Sequence, residues 1–223
     1  MRRLSVLVVA AAALAGCATM PPPPPAVLTF AGKGCTAIPD LTQALSLTPE
    51  KERAIHIVTT QVGSATPCLH RDARDTAYLL YDIPTDYEDK TLTVGGYLEP
   101  LRILSPQVAV LDGRGETSRS FRADEFMYRG INYSVVLKPR AGERFILVTI
   151  DPSRVGQSYD SIVIGVNTSA TGAPVASALA AGLVGSGQIT TGSDVGMSRT
   201  FSYEGAVQIA VNDSDTKETA PAP

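Results

Sequence analysis

Few side chains in this sequence are suited to chemistry, and their spacing limits what they can do. The three cysteines are Cys17, Cys35 and Cys68, and the two histidines are His56 and His70. Cys35, His56, Cys68 and His70 make four candidate zinc ligands, with Cys68 and His70 as a local pair. Structural zinc sites space their ligands as C-x₂₋₄-C and H-x₃₋₅-H, and this set does not. In an oxidising compartment an even pair of cysteines reads instead as a disulfide, so Cys35–Cys68 is the expected pairing. Ser186 lies in Val184-Gly185-Ser186-Gly187-Gln188, which is not the G-x-S-x-G elbow of a serine hydrolase. Only His56 or His70 is available as its base, and nothing in the spacing links either to Ser186. Gly182 to Gly187 repeats glycine without the Lys-Ser/Thr ending that grips phosphate in a P-loop. Asn212-Asp213-Ser214-Asp215 opens like a calcium loop but lacks the later glycine and the bidentate glutamate. Asp82, Asp86, Glu88 and Asp89 surround a turn. Carboxylate pairs cleave glycosides only at a fixed separation, and an aspartate-rich turn is ordinarily just a turn. The expectation is therefore a non-enzyme with no catalytic residue, no metal and no cofactor.

The remaining cysteine has a different context. Arg2 and Arg3 precede an apolar run from Leu4 to Leu14, the charged head and greasy middle of an export signal. That run is too short to span a bilayer as a helix, which takes about 18–20 residues. Leu14-Ala15-Gly16-Cys17 then resembles the bacterial lipobox. The resemblance implies cleavage before Cys17, a diacylglyceryl group on its sulfur and acylation of the new amine. Ala13-Leu14-Ala15 also fits an ordinary signal-peptidase site, the rival reading. A single chain binds membranes only marginally, with a constant of about 10⁴ M⁻¹, whereas two already give stable anchoring. Ala18 and Thr19, rather than aspartate, follow the cysteine, which resembles lipoproteins of the outer membrane. The expected location is the periplasmic face of that membrane. Pro21 to Pro25 predict a polyproline II spacer of roughly 15 Å.

This divides the chain into a signal peptide (1–16), a lipidated cysteine and proline-rich tether (17–29), one folded domain (30–212) and a disordered tail (213–223). The chain has 19 basic and 22 acidic residues, and Arg2 and Arg3 are lost with the signal. No basic patch remains for nucleic acid, which is excluded as a partner. A membrane partner through the N-terminal lipid is expected, together with an envelope protein or a glycan. With no tryptophan and eight tyrosines, a glycan platform would rest on residues such as Tyr78, Tyr87, Tyr97, Tyr128, Tyr133 and Tyr159. The competing reading makes them amphipathic strand residues.

The domain reads as strands punctuated by proline and glycine, a spacing that favours an antiparallel β-sandwich over a parallel α/β sheet. Thr76 to Pro84 puts Ala77, Leu79, Tyr81 and Ile83 on one face. Lys90 to Leu98 puts Leu92 and Val94 on one face, with Gly95-Gly96 marking a bulge or a close backbone approach. Gln107 to Leu111 runs into Asp112-Gly113, a hairpin signal. Ile131 to Lys138 alternates, and Glu143 to Ile150 is apolar on both faces, as a central strand should be. Ala54 to Thr60, Ser161 to Val166 and Phe201 to Val211 complete the set. Pro174 to Val184 fits a short helix or a loop equally well.

The block from Leu104 to Ile150 is similar to the maltose operon periplasmic protein family. The similarity lies in Ser105-Pro106-Gln107-Val108-Ala109-Val110-Leu111-Asp112, then Phe126-Met127-Tyr128, then Val135-Val136-Leu137-Lys138-Pro139 and the aliphatic strand Phe145 to Ile150. Weaker likeness covers Ala37-Ile38-Pro39, Leu47-Thr48-Pro49 and Phe201 to Val211. The lipobox is a departure from the family. The resemblance implies an all-β, jelly-roll-like periplasmic domain, accessory to maltose and maltodextrin transport or to envelope maintenance. A glycan-binding module of the envelope is the alternative.

Overall fold

A computed structural model describes residues 27–30, 34–71, 73–169 and 189–214, with side chains for these except 159–169 and 189–198. The described chain is all-β, with helical geometry confined to short 3₁₀ turns. None of its helices is long and apolar enough to cross a membrane.

The first sheet is built on β12 (Glu143–Ile150), flanked by β5 (Leu79–Asp82) and β8 (Pro106–Asp112). β1 (Leu45–Ser46) adds to β5 in parallel, and β9 (Thr117–Ser120) adds to β8 antiparallel. The second sheet runs in the order β10 (Met127–Arg129), β11 (Asn132–Leu137), β6 (Lys90–Tyr97), β15 (Gly205–Asp213) and β2 (Ile55–Val62), antiparallel throughout. β3 (Cys68–Arg71) and β4 (Arg74–Ala77) form a separate hairpin. β13 (Ser158–Ser169) and β14 (Ile189–Ser202) pair antiparallel along their length. The end of β14 lies parallel to β7 (Arg102–Leu104), which ties this ribbon to the body.

Alternation explains the core. A strand turns successive side chains to opposite faces, so every second apolar residue leaves water on the same side. Tyr81, Val110, Ile146 and Val148 of the first sheet share one buried cluster with Val94, Val135, Val207 and Ile209 of the second. The sequence-predicted face of Ala77, Leu79, Tyr81 and Ile83 enters this cluster complete. On its other face the first sheet buries Leu80, Leu111 and Leu147 with Leu69 and Tyr78. Both faces of β12 are thus covered, which is why its sequence is apolar almost without interruption. Glu143, buried at its first position, is neutralised by Arg119 at 2.8 Å.

Of the two alternatives for Gly95-Gly96 the close backbone approach holds, and two other sequence expectations change. Gly95-Gly96 forms no bulge: β6 keeps continuous register with both neighbours. The glycines are there for close approach, since a Cβ on Gly95 would lie 2.1 Å from the Tyr133 carbonyl oxygen and one on Gly96 2.6 Å from that of Leu104. Phe201 to Val211 is two strands, not one. The chain bends at Tyr203-Glu204, where Ser202 Oγ accepts from the Glu204 N–H at 3.1 Å and Gly205 takes φ 140°. β15 also continues through Asp213, the first residue of the segment read as tail, because that carboxylate reaches the buried Lys90 at 2.6 Å. Residues 174–184 lie outside the described residues.

Gly95→Ala is expected to destabilise the domain by about 2–3 kcal/mol through overpacking. Gly113→Ala, where nothing lies within 4 Å, should stay within about 0.5 kcal/mol of the parent. Urea unfolding midpoints of the two variants make the comparison.

Candidate functional site

The predicted disulfide is present, with Cα atoms 4.8 Å apart and a sequence separation of 33. Thr36, beside Cys35, makes a single parallel β-bridge to Leu69 at the edge of the hairpin. Its N–H donates to Cys68 O at 3.1 Å and its carbonyl accepts from His70 N–H at 2.8 Å. Six residues earlier in the chain, Phe30 is buried in the shared core and Leu28 packs against it. Further on, Asp40 accepts from Thr42 N–H at 3.0 Å and from Thr42 Oγ1 at 2.7 Å, which pulls its pKa below the ordinary carboxylate range. The Asp40 N–H donates to the buried Tyr78 hydroxyl at 3.1 Å. The segment entering the domain is therefore fastened by an apolar plug, a covalent bridge, a strand pairing and a capped turn.

Two cavities adjoin this entry. One, of about 300 Å³, is walled by Val27, Leu28, Arg74, Ile150, Pro152 and Tyr203 among others. The second, of about 400 Å³, shares Arg74, Thr76, Ile150 and Pro152 with it and adds Arg71, Gln107 and Thr149. A third, of about 350 Å³, opens between β2 and β5 and is lined by Leu45, Thr60, Thr66, Pro67 and Tyr78 among others. None of the three is lined by a histidine.

The other sequence-predicted groups have structural partners. His70 Nδ1 meets Asp75 Oδ1 at 2.7 Å on the exposed face of the hairpin, and the disulfide removes both thiolates from the four-ligand zinc alternative. His56 belongs to a different sheet, half-buried on the inner side of β2, while Ile55 and Ile57 are 57% and 54% exposed. Asp82 pairs with Arg144 at 3.0 Å, and Asp86 and Asp213 pair with Lys90 at 2.9 and 2.6 Å. Burial works against the Lys90 ammonium, but hydrogen bonds and charge from Asp213 and Asp86 outweigh it and raise its pKa. Tyr81 is buried, and burial pushes its phenol up to about 12 against a smaller opposing effect of Thr60. Among the described residues no group of three His, Cys, Asp or Glu side chains is placed to hold a metal.

The tyrosines divide as the strand reading expects. Tyr78 and Tyr133 are buried, the latter stacked on Phe126 at 5.5 Å and edge-on to Phe201 at 5.1 Å. Tyr87 and Tyr128 pack against the core. Tyr97 differs: its register with Asn132 puts it on the side of the second sheet turned away from the core. That side carries a polar track the sequence reading missed. Asn132 Nδ2 donates to Gln208 Oε1 at 2.6 Å, and Gln208 Nε2 donates to Thr59 Oγ1 at 3.2 Å. Gln208 is level with Gly95, which has no side chain to stand between it and β11, and Asn132 reaches it diagonally from the row of Tyr97. The signal was present as polar residues at alternate positions of otherwise apolar strands. Cys17, Ser186, the side chain of Tyr159, Gly182 to Gly187 and Asp215 lie outside what is described.

Neither protein-family models nor curated proteins give a match to this chain.

Cys35→Ser with Cys68→Ser should lower the unfolding free energy by roughly 3–4 kcal/mol, the loop-closure value for a separation of this length. Denaturant titration of both forms under non-reducing conditions measures it, and a loss near zero would mean that the strand pairing of Thr36 suffices alone.

Proposed function

We propose that this chain is a non-enzymatic lipoprotein, anchored to the periplasmic face of the outer membrane through Cys17. In this reading it serves as an accessory in carbohydrate transport, of maltose or maltodextrin, or in envelope maintenance. The observation that carries the reading is the fastening of Leu28, Phe30, Cys35 and Thr36, where a buried phenylalanine, a β-bridge and the Cys35–Cys68 bond hold the start of the described chain to the domain. A free N-terminal tail needs none of these. A segment that links a folded body to a bilayer needs its junction held. The lipobox and the proline spacer supply the rest of the argument, and the resemblance to the maltose operon periplasmic protein family supplies the process. We read the two five-stranded sheets that share the core as the layers of an antiparallel, jelly-roll-like sandwich, the architecture that this alternation favours.

Cys17→Ala is the direct test. The variant should leave the membrane fraction and appear in the soluble periplasmic fraction with unchanged circular dichroism. A variant that stays with the membrane defeats the lipid reading.

A second reading, an envelope glycan-binding module, is favoured by the track of Asn132, Gln208 and Thr59 beside Tyr97. Amide and hydroxyl groups next to an aromatic ring suit the hydroxyls and C–H faces of a sugar. Calorimetric titration with maltodextrins and with peptidoglycan fragments should show heat that Asn132→Ala abolishes, and flat titrations with both remove this reading.

A further inference from the structure

In the β3–β4 hairpin Ala73 takes φ 59°, and Arg71 lies directly opposite Arg74. Like charges facing each other across a strand pair repel, a cost that an anion between these two exposed arginines would offset. Among the described residues neither guanidinium has a carboxylate partner. Asp75, the next acid along, is engaged by His70 at 2.7 Å; it lines the cavity of about 300 Å³ beside Arg74 but not the one of about 400 Å³. Asp72 lies outside the described residues.

Arg71 and Arg74 line the cavity of about 400 Å³ together with Thr76, Gln107 and Thr149, and no acidic side chain lines it. Thr149 Oγ1 donates to Gln107 Oε1 at 3.3 Å, which leaves the Gln107 NH₂ as a donor at the cavity wall. We propose that this cavity binds a phosphate group, held between the Arg71 and Arg74 guanidinium groups with Gln107 as an additional donor. The planar fork of arginine matches phosphate oxygens two at a time, and a charge-assisted bond of this kind is stronger than a neutral one. The space exceeds what a bare phosphate fills, so a phosphate ester fits the site.

The position of the cavity indicates a source. The neighbouring cavity, which shares Arg74 and Thr76 with it, is walled by Val27 and Leu28, so the chain leaves the domain toward Cys17 beside the paired arginines. The short stretch from Cys17 to Val27 reaches at most roughly 35 Å when fully extended. On the lipid-anchor reading, and only there, headgroup phosphates are within reach of the site. The phosphate site itself does not depend on that reading.

The experiment uses the mature chain, residues 17–223, carrying Cys17→Ala, so that no acyl chain contributes to binding. Inorganic phosphate is titrated while the side-chain N–H resonances of arginine and glutamine are followed, and sedimentation with phosphatidylglycerol vesicles is run in parallel. Arg71→Gln with Arg74→Gln should weaken binding by roughly tenfold or more, since each partner lost is a charged hydrogen bond. Arg114→Gln with Arg122→Gln removes the same charge from two exposed arginines elsewhere and should leave binding unchanged. Arg71→Lys with Arg74→Lys keeps the charge without the fork and should fall between. Binding to vesicles but not to free phosphate supports the site with a lipid headgroup as its ligand. Binding to free phosphate but not to vesicles supports it with a soluble phosphate ester. Binding to neither, or equal loss in the two glutamine pairs, overturns the proposal. Failure of the lipid anchor is read separately, from the fractionation of Cys17→Ala, and leaves the phosphate titration untouched.

Discussion

The apolar layer shared by β5, β8 and β12 with β6, β11 and β15 is the constraint on which the rest of the molecule rests. Each fully buried aliphatic side chain in it contributes about 1.5–3 kcal/mol, and together they offset the entropy of ordering the chain. The layer forms only if every strand keeps its register, because a slip of one residue would turn a whole apolar set toward water. That demand accounts for the two glycines of β6. With carbonyl oxygens of Tyr133 and Leu104 where side chains would begin, no larger residue lets β6 lie in its place.

Charge is arranged around this layer and not within it. Lys90 is buried at the end of β6, yet two carboxylates from different parts of the chain meet it there. Glu143 opens the central strand under Arg119 in the same way. A buried ion that loses its partner is costly, so such pairs fix which ends of strands lie together. The acidic turn after Tyr81 is an instance: Asp82 and Asp86 are committed to Arg144 and Lys90.

Much of this was legible in the sequence, and the legible part shares one physical cause. Period-two alternation gave the face of Ala77, Leu79, Tyr81 and Ile83, and an unbroken apolar run marked β12 as central. The even cysteine pair gave the bridge. Where a residue's role depends on a distant strand, local pattern said little. His56 turns inward while its isoleucine neighbours turn out, because β2 is an edge strand whose outer face is uncovered among the described residues. The bend at Tyr203-Glu204 interrupts a run that reads as one strand, and only the φ of Gly205 discloses it. Asn132 and Gln208 are 76 residues apart, so no local window could join them. Arg71 and Arg74 stand close in sequence, but the cavity they line is completed by Gln107 of β8 and Thr149 of β12, which local pattern does not show.

The sulfur bridge also decides how tension would travel. A pull arriving along the N-terminal segment passes from Cys35 directly to Cys68, and the stretch joining them carries none of it. β1 and β2 lie within that stretch, so two sheets are spared a force that would otherwise peel their edges. Without the bridge, the same pull would run through both strands, and stripping them out would release roughly 110 Å of chain. The bridge makes the N-terminal segment mechanically separate from the edges of the sheets, so strain at one end need not loosen the other.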